Sequence, residues 1–550
     1  MTQRALVRLV AGSTAAALFA SVVPAMGQYV ATTSFTGNGA TLNDDGLNFI
    51  WNDAGNWNNG VPSATTLAVA GVGSSGGNQL AVTAPAIAYG LELFGSSDSR
   101  VYASGAGNLL TLTSTASAVD PVNSLAPAIY SSNMGSTSGE HRVDINIQLG
   151  LDNGPNGVYT IYRDPTGPRI RIDRRIVQAP GTIAGLTIAG GQSYLRANTN
   201  SGNYLTNRYN FDGVFTVATG GDARVYNNII PHGVGRPDHV INGVFRQSAN
   251  NNTIILNSLT GSGQMNRNGG NDLAIGANNT NATFDGDFAS TNTRLYKIGS
   301  GTQVLTNTNN AYGRVQVLEG TLDVQTVADT GVNSGLGRGE AASNSLVLDG
   351  GTLRISGVAG TTNRPFTVGV RGGTIDASGS AALVFNSATP VLTSDNTILF
   401  GDNVETGTSQ IVPNIYGATG LGALASAGYL TISAQGVGIN GAVGTQPVSI
   451  DEVNRTLELA PGATNGAPGN GSGAPRIEFT AANAGVGLAR TLTLTGTSTH
   501  DNAIDSAMSN SATGGVLDIA KTGTGTWNLN GANTYTGTTN VSAGRLNVNG

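Results

Sequence analysis

Residues 517–550, LDIAKTGTGTWNLNGANTYTGTTNVSAGRLNVNG, set the grammar of the chain, because residues 295–325, LYKIGSGTQVLTNTNNAYGRVQVLEGTLDVQ, repeat their pattern. A shift of 224 positions, with no gap, superposes Lys297 on Lys521, Gly299 on Gly523, Gly301 on Gly525, Leu305 on Leu529 and Asn309 on Asn533. The same shift carries Gly313 onto Gly537, Gly320 onto Gly544, Leu322 onto Leu546 and Val324 onto Val548. Of 27 basic residues only Lys297 and Lys521 are lysines, and both fall on this one matched position. Chance explains that poorly.

Each copy consists of short runs in which alternate residues are apolar, such as Trp527 and Leu529 or Leu546 and Val548, separated by Gly, Asn and Thr. That is a strand-turn-strand pattern with no helical period. Two further fragments, Gly351-x-Leu353-x-Ile355 and Gly373-x-Ile375-x-Ala377, follow the same rhythm 22 residues apart. Such a spacing fits one coil of a parallel β-solenoid, whose coils bury a continuous core only by stacking. Gly supplies positive φ at the corners, and Asn tolerates it. The expected fold is all-β, a right-handed parallel β-helix with irregular loops. On the order of 20 coils at about 4.8 Å each would make a rod of roughly 100 Å.

The stretch from Lys521 resembles the autotransporter-associated β-strand repeat, also called the passenger-associated transport repeat, and Lys297 to Val324 resembles a diverged copy. Residues from Thr491 are similar to the coil that often precedes this repeat in large exported proteins of environmental bacteria. The resemblance implies a surface β-solenoid and carries no chemistry.

Residues 1–27 read as a cleaved secretory signal, with Arg4 and Arg8, an apolar core over 9–23 and small residues at Ala25-Met26-Gly27. The mature chain is therefore expected outside the cell or at its surface, associated with the outer membrane, and without a membrane-spanning segment. Residues 28–62 are expected as an N-terminal cap, 63–290 as solenoid with loop insertions, and 291–326 as the first repeat. A further solenoid over 327–490 and a second repeat region over 491–550 complete the division. A barrel or sorting tail does not appear before Gly550, so the chain is expected to be either a fragment or a product without its own anchor.

Charged residues make up 11% and Gly 80 of 550, while 39% hydrophobic residues leave enough apolar surface for a core rather than disorder. A net charge of −6 argues against nucleic acid or an anionic membrane as partner. Without cysteine, stability must come from stacked strands. No cofactor or metal is expected, and the chain is expected to be a monomer.

Four places bear on candidate chemistry. Trp51 and Trp57 flank a polar turn and could stack on a sugar, or cap the solenoid end. Capping is favoured, and the segment also resembles the opening of the same class of exported proteins. In RIRIDRR, residues 169–175, charges alternate with Ile170 and Ile172; Arg169, Arg171 and Arg174 are candidates for an acidic polysaccharide on a basic strand face. A solvated strand face is the simpler account. His232, Asp238 and His239 could converge on a metal or acid-base site, although the flanking Pro and Gly favour a structural loop. Gly269-Gly270-Asn271-Asp272-Leu273 is a single imperfect match to a calcium-binding repeat that needs tandem copies. The role that follows is a structural or adhesive surface passenger whose repeats assist secretion and folding, without catalysis. Its partner would be an extracellular polysaccharide or another cell surface. The alternative is a polysaccharide-binding or polysaccharide-cleaving β-helix.

Overall fold

A computed structural model describes residues 49–196, 209–393 and 489–550 with short gaps, together with the strand Ala31–Ser34 and six strand backbones within 431–480. The signal expected at 1–27 lies outside the described residues, as do Gly269, Gly270 and Asn271. The chain divides into two compact units, one of residues up to 171 with 176–191, the other of 172–175 with 192–550.

In the first unit successive coils contribute to three parallel sheets. One runs through Thr66–Gly71, Gly90–Phe94, Ile129–Ser131, Gly157–Arg163 and Ala184–Gly190. A second runs through Leu80–Val82, Ser99–Ala103, Glu140–Asp144 and the start of Arg169–Ile172. The third holds Ala86–Ala88, Leu109–Leu112, Asn146–Leu149 and Ile176–Gln178. Register places Leu91 on Ile129, Ile129 on Ile161 and Ile161 on Ile188, so one buried aliphatic column crosses four coils. Leu110, Ile147 and Ile176 form another. Period-two alternation produces this, since Leu109–Leu112 and Arg169–Ile172 both alternate half-buried with buried residues. Each such aliphatic side chain contributes about 1.5–3 kcal/mol when fully buried.

The second unit is built the same way. Leu273, Leu295, Val315, Leu346 and Phe366 stack in one sheet. Leu305, Val324, Ile355 and Ala377 stack in the next. The parallel β-solenoid is thus the fold, and among the described residues the one helical piece is the short turn Ala54–Asn56. No helix among them is long and apolar enough to cross a membrane.

Coil length varies. Thr302 pairs with Thr321, 19 residues on, Leu322 with Leu353, 31 on, and Gly373 with Leu492, 119 on. Within that last interval Thr431–Gln435 pairs antiparallel with Arg476–Thr480, and Val448–Asp451 with Thr456–Leu459. These strands pair with one another in antiparallel fashion, unlike the parallel strands of the coils.

Candidate functional site

Both lysines are buried, with 1% of Lys297 and none of Lys521 exposed. An ammonium has three N–H donors and no acceptor, so burial demands three acceptors around it. Lys297 Nζ donates to the carbonyls of Ile298 at 2.8 Å, Gly299 at 2.7 Å and Glu319 at 3.1 Å. Lys521 Nζ donates to those of Thr522 at 2.6 Å, Gly523 at 2.7 Å and Ala543 at 3.0 Å. Two acceptors lie in the lysine's own corner and the third in the following coil, so the side chain ties consecutive coils together. Burial holds the Lys521 ammonium below the usual lysine pKa.

The corner glycines make room for the clamp. Gly299 and Gly523 take φ of 74° and 67°, a left-handed conformation that side chains resist. A Cβ on Gly301 or Gly525 would run into the carbonyl oxygen of Thr280 or Ser498 on the coil before. Gly320 and Gly544 share the positive φ, while Gly313 and Gly537 pass close to the backbone at Thr291 and Leu517. Leu305 and Leu529 are fully buried. Trp527 is buried too, its Nε1–H donating to Thr495 O at 3.0 Å. At the matched position Gln303 bonds both the N–H of Leu259, at 2.7 Å, and its carbonyl, at 3.0 Å.

The asparagine is displaced by one residue. Asn533 Oδ1 accepts the N–H of Met508 at 3.0 Å, and in the first copy the same bond, to Phe288 N–H at 3.0 Å, is made by Asn310. Asn309 instead meets Asn307 and Asn333 in an exposed turn. The gapless alignment concealed this local slip. A further buried cation was invisible in the sequence: Arg364, 1% exposed, donates to the carbonyls of Leu336 at 2.5 Å and Gly337 at 3.0 Å, and burial lowers its pKa to about 10.

Trp51 and Trp57 are 0% and 4% exposed, meet edge to face at 4.9 Å, and are joined by Trp57 Nε1–H donating to Trp51 O at 2.7 Å. Buried rings offer no face to a sugar, so the stacking platform gives way to a packing role. On the basic strand Arg171 Nη1 meets Glu140 Oε1 at 2.9 Å, and Arg142 Nε reaches the same oxygen at 2.9 Å. Arg169 is half-buried and Arg174 exposed. In the second unit a row of cations and aromatics lies on one sheet: Tyr194 pairs with Arg224 and Arg224 with Arg246, while Arg196 pairs with Tyr226. Arg196 stands 4.6 Å over Tyr226, and Arg246 Nε meets Asp222 at 2.8 Å. Unequal coil lengths hide this row from any search at fixed spacing.

His232, Asp238 and His239 do not converge. His239 lies in the strand His239–Ile241, 2% exposed, with Nε2–H donating to Pro231 O at 3.0 Å and its ring edge to face with Phe215. Burial lowers its pKa to about 4. Asp238 Oδ1 accepts from Asn278 Nδ2 at 2.8 Å and from the Thr280 hydroxyl, and His232 Nδ1–H donates to Ile230 O at 2.9 Å. Among the described residues no group of three His, Cys, Asp or Glu could hold a metal. His232 instead lines a cavity of about 320 Å³ with Arg175, Tyr209, Asn210 and Arg236, walled by Ile230 and Pro231.

The passenger-associated-transport-repeat family matches residues 295–324 and 519–548, the two segments that hold the lysine clamps. The chain carries two passenger-associated transport repeats. It is also 31% identical to the "Adhesin BmaC autotransporter" of Brucella suis biovar 1 (strain 1330) over 346 aligned residues, 53% of this chain. The chain spans 10% of that relative's length. No solved structure matches. In both repeats, therefore, the family's matched segment contains the lysine, its corner glycines and its coil-to-coil bonds.

Proposed function

We propose that this chain is passenger material of an exported surface autotransporter, with a structural and adhesive role, and that its repeats assist secretion and folding. The observation that carries this reading is the pair of clamps within the two transport repeats. Similarity to a protein named as an autotransporter adhesin supports the surface and adhesive part. A clamp that reaches into the following coil closes only when that coil arrives, so each repeat locks a growing stack stepwise and disfavours its reopening. That behaviour suits a chain emerging end first, because solenoids fold by propagation between neighbours. The functional account is non-enzymatic, resting on a surface that the rigid stack presents.

The test is protease treatment of intact producing cells, comparing the wild-type protein with a Lys297→Met, Lys521→Met double variant. Surface-accessible protein is expected for the wild type and several-fold less for the variant at equal total synthesis. Protection of the wild type until lysis contradicts export, and equal display of the variant contradicts the role of the repeats.

A further inference from the structure

The cavity beside His232 joins two sequence segments that are far apart, the basic run ending at Arg175 and the loop from Pro231 to Arg236. Among the described residues two guanidinium groups line it and no carboxylate does. Arg236 is fixed by bonds from Nη1 to Phe211 O and to Asp212 Oδ1 at 3.0 Å, and from Nη2 to Asn210 Oδ1 at 3.4 Å. Five donors on a guanidinium leave N–H groups over after those contacts. Tyr209 is 3% exposed, and its hydroxyl has no hydrogen-bonding partner. A buried hydroxyl without a partner is costly, about 1–3 kcal/mol, and rare enough to point to a missing group.

The loop is held rigid from outside the cavity. Asn257 Oδ1 accepts Gly233 N–H at 2.8 Å and its Nδ2 donates to Pro237 O at 2.7 Å. Asn278 Nδ2 donates to Arg236 O at 3.2 Å, and His239 ties Pro231 at 3.0 Å. Four backbone points are thus fixed by side chains beyond the loop, which lowers the ordering cost of binding.

We propose that this cavity binds one carboxylate-bearing sugar unit, with the carboxylate on Arg175 and Arg236, sugar hydroxyls on Tyr209 and Asn210, and the ring's C–H face against Ile230 and Pro231. Guanidinium forks match carboxylate geometry. The volume lies at the lower end of small-ligand pockets, enough for a single ring. Among the described residues the lining lacks the paired acids that glycosidic hydrolysis calls on, so the proposal is one of binding. This goes beyond the surface-passenger reading and is measured whether or not the chain is displayed.

The experiment is calorimetric titration of the purified chain with D-glucuronate, using D-glucose and sulfate as comparators. Saturable glucuronate binding with Kd at or below about 1 mM is expected, with none for glucose. Tyr209→Phe, which removes a hydroxyl that makes no bond in the fold, should weaken it about fivefold, and Arg236→Gln about tenfold or more. No saturation by glucuronate, equal binding of glucose, or an unchanged Kd in Tyr209→Phe would overturn the proposal. Sulfate binding as tightly as glucuronate would overturn the sugar assignment. Should Arg236→Gln fail to fold, the tyrosine variant alone decides.

Discussion

The two repeats sit on different sides of the stack. Arg294–Lys297 of the first copy belongs to the sheet that continues into Arg314–Val317 and Leu346–Leu348. Its counterpart Val516–Lys521 belongs instead to the sheet that holds the first copy's second strand, Thr302–Leu305. Despite that change of side, the ammonium finds the same three carbonyls at the same offsets. The repeat's information therefore lies in bonds between neighbouring coils, not in its place around the solenoid. Burial behaves differently. Leu322 and Val324 are fully buried beneath Leu353 and Ile355, whereas Leu546 is half-buried and Val548 56% exposed on a strand that pairs with Trp527 and Leu529. The first copy brings its own clamp but takes the cover of its last strand from the coil that holds Leu353 and Ile355.

The largest contrast should come from that cover. Leu322→Ala is expected to cost about 4 kcal/mol in urea unfolding, within the range for buried leucines, and Val358→Ala, at an exposed position of the same unit, under about 1 kcal/mol. Equal losses would break the comparison. A buried histidine outside both copies supplies the next effect. Unfolded, His239 titrates at the ordinary 6.5 and folded at about 4, so between those values unfolding takes up a proton. Its contribution is full above about pH 6.5 and declines as pH falls through about 4, for a loss on the order of 3 kcal/mol. His239→Gln should flatten that part of the pH profile while leaving the repeat variants' relative effects unchanged. Smaller again, Asn310→Ala should cost about 2 kcal/mol, stranding the buried Phe288 N–H, while Asn309→Ala stays within about 0.5 kcal/mol. Reversed magnitudes would restore the gapless alignment of the two loops.

The solenoid was legible because period-two alternation and corner glycines are local signals, as Leu109–Leu112 and Gly299 illustrate. The matched lysines were legible as a coincidence of sequence, but not as a clamp, since Glu319 and Ala543 become acceptors only when coils stack. For Trp51 and Trp57 the sequence favoured packing over a sugar platform but left both open, because spacing does not report burial. Tyr209 and the Tyr194–Arg224–Arg246 row carried no signal: Arg224 follows Tyr194 by 30 residues and Arg246 follows Arg224 by 22, so neighbours stand at no constant spacing. The Asn310 slip shows the same limit within a single turn.

The clamp itself is tested most directly by Lys297→Met, with Lys521→Met beside it, in urea unfolding at neutral pH. The methionine keeps the buried chain and removes the donors from three carbonyls. A loss of about 2 kcal/mol at each lysine is the expected result. Lys297→Arg should not restore it, because a planar fork cannot meet three carbonyls arranged around one point. Wild-type stability in both methionine variants would contradict the account.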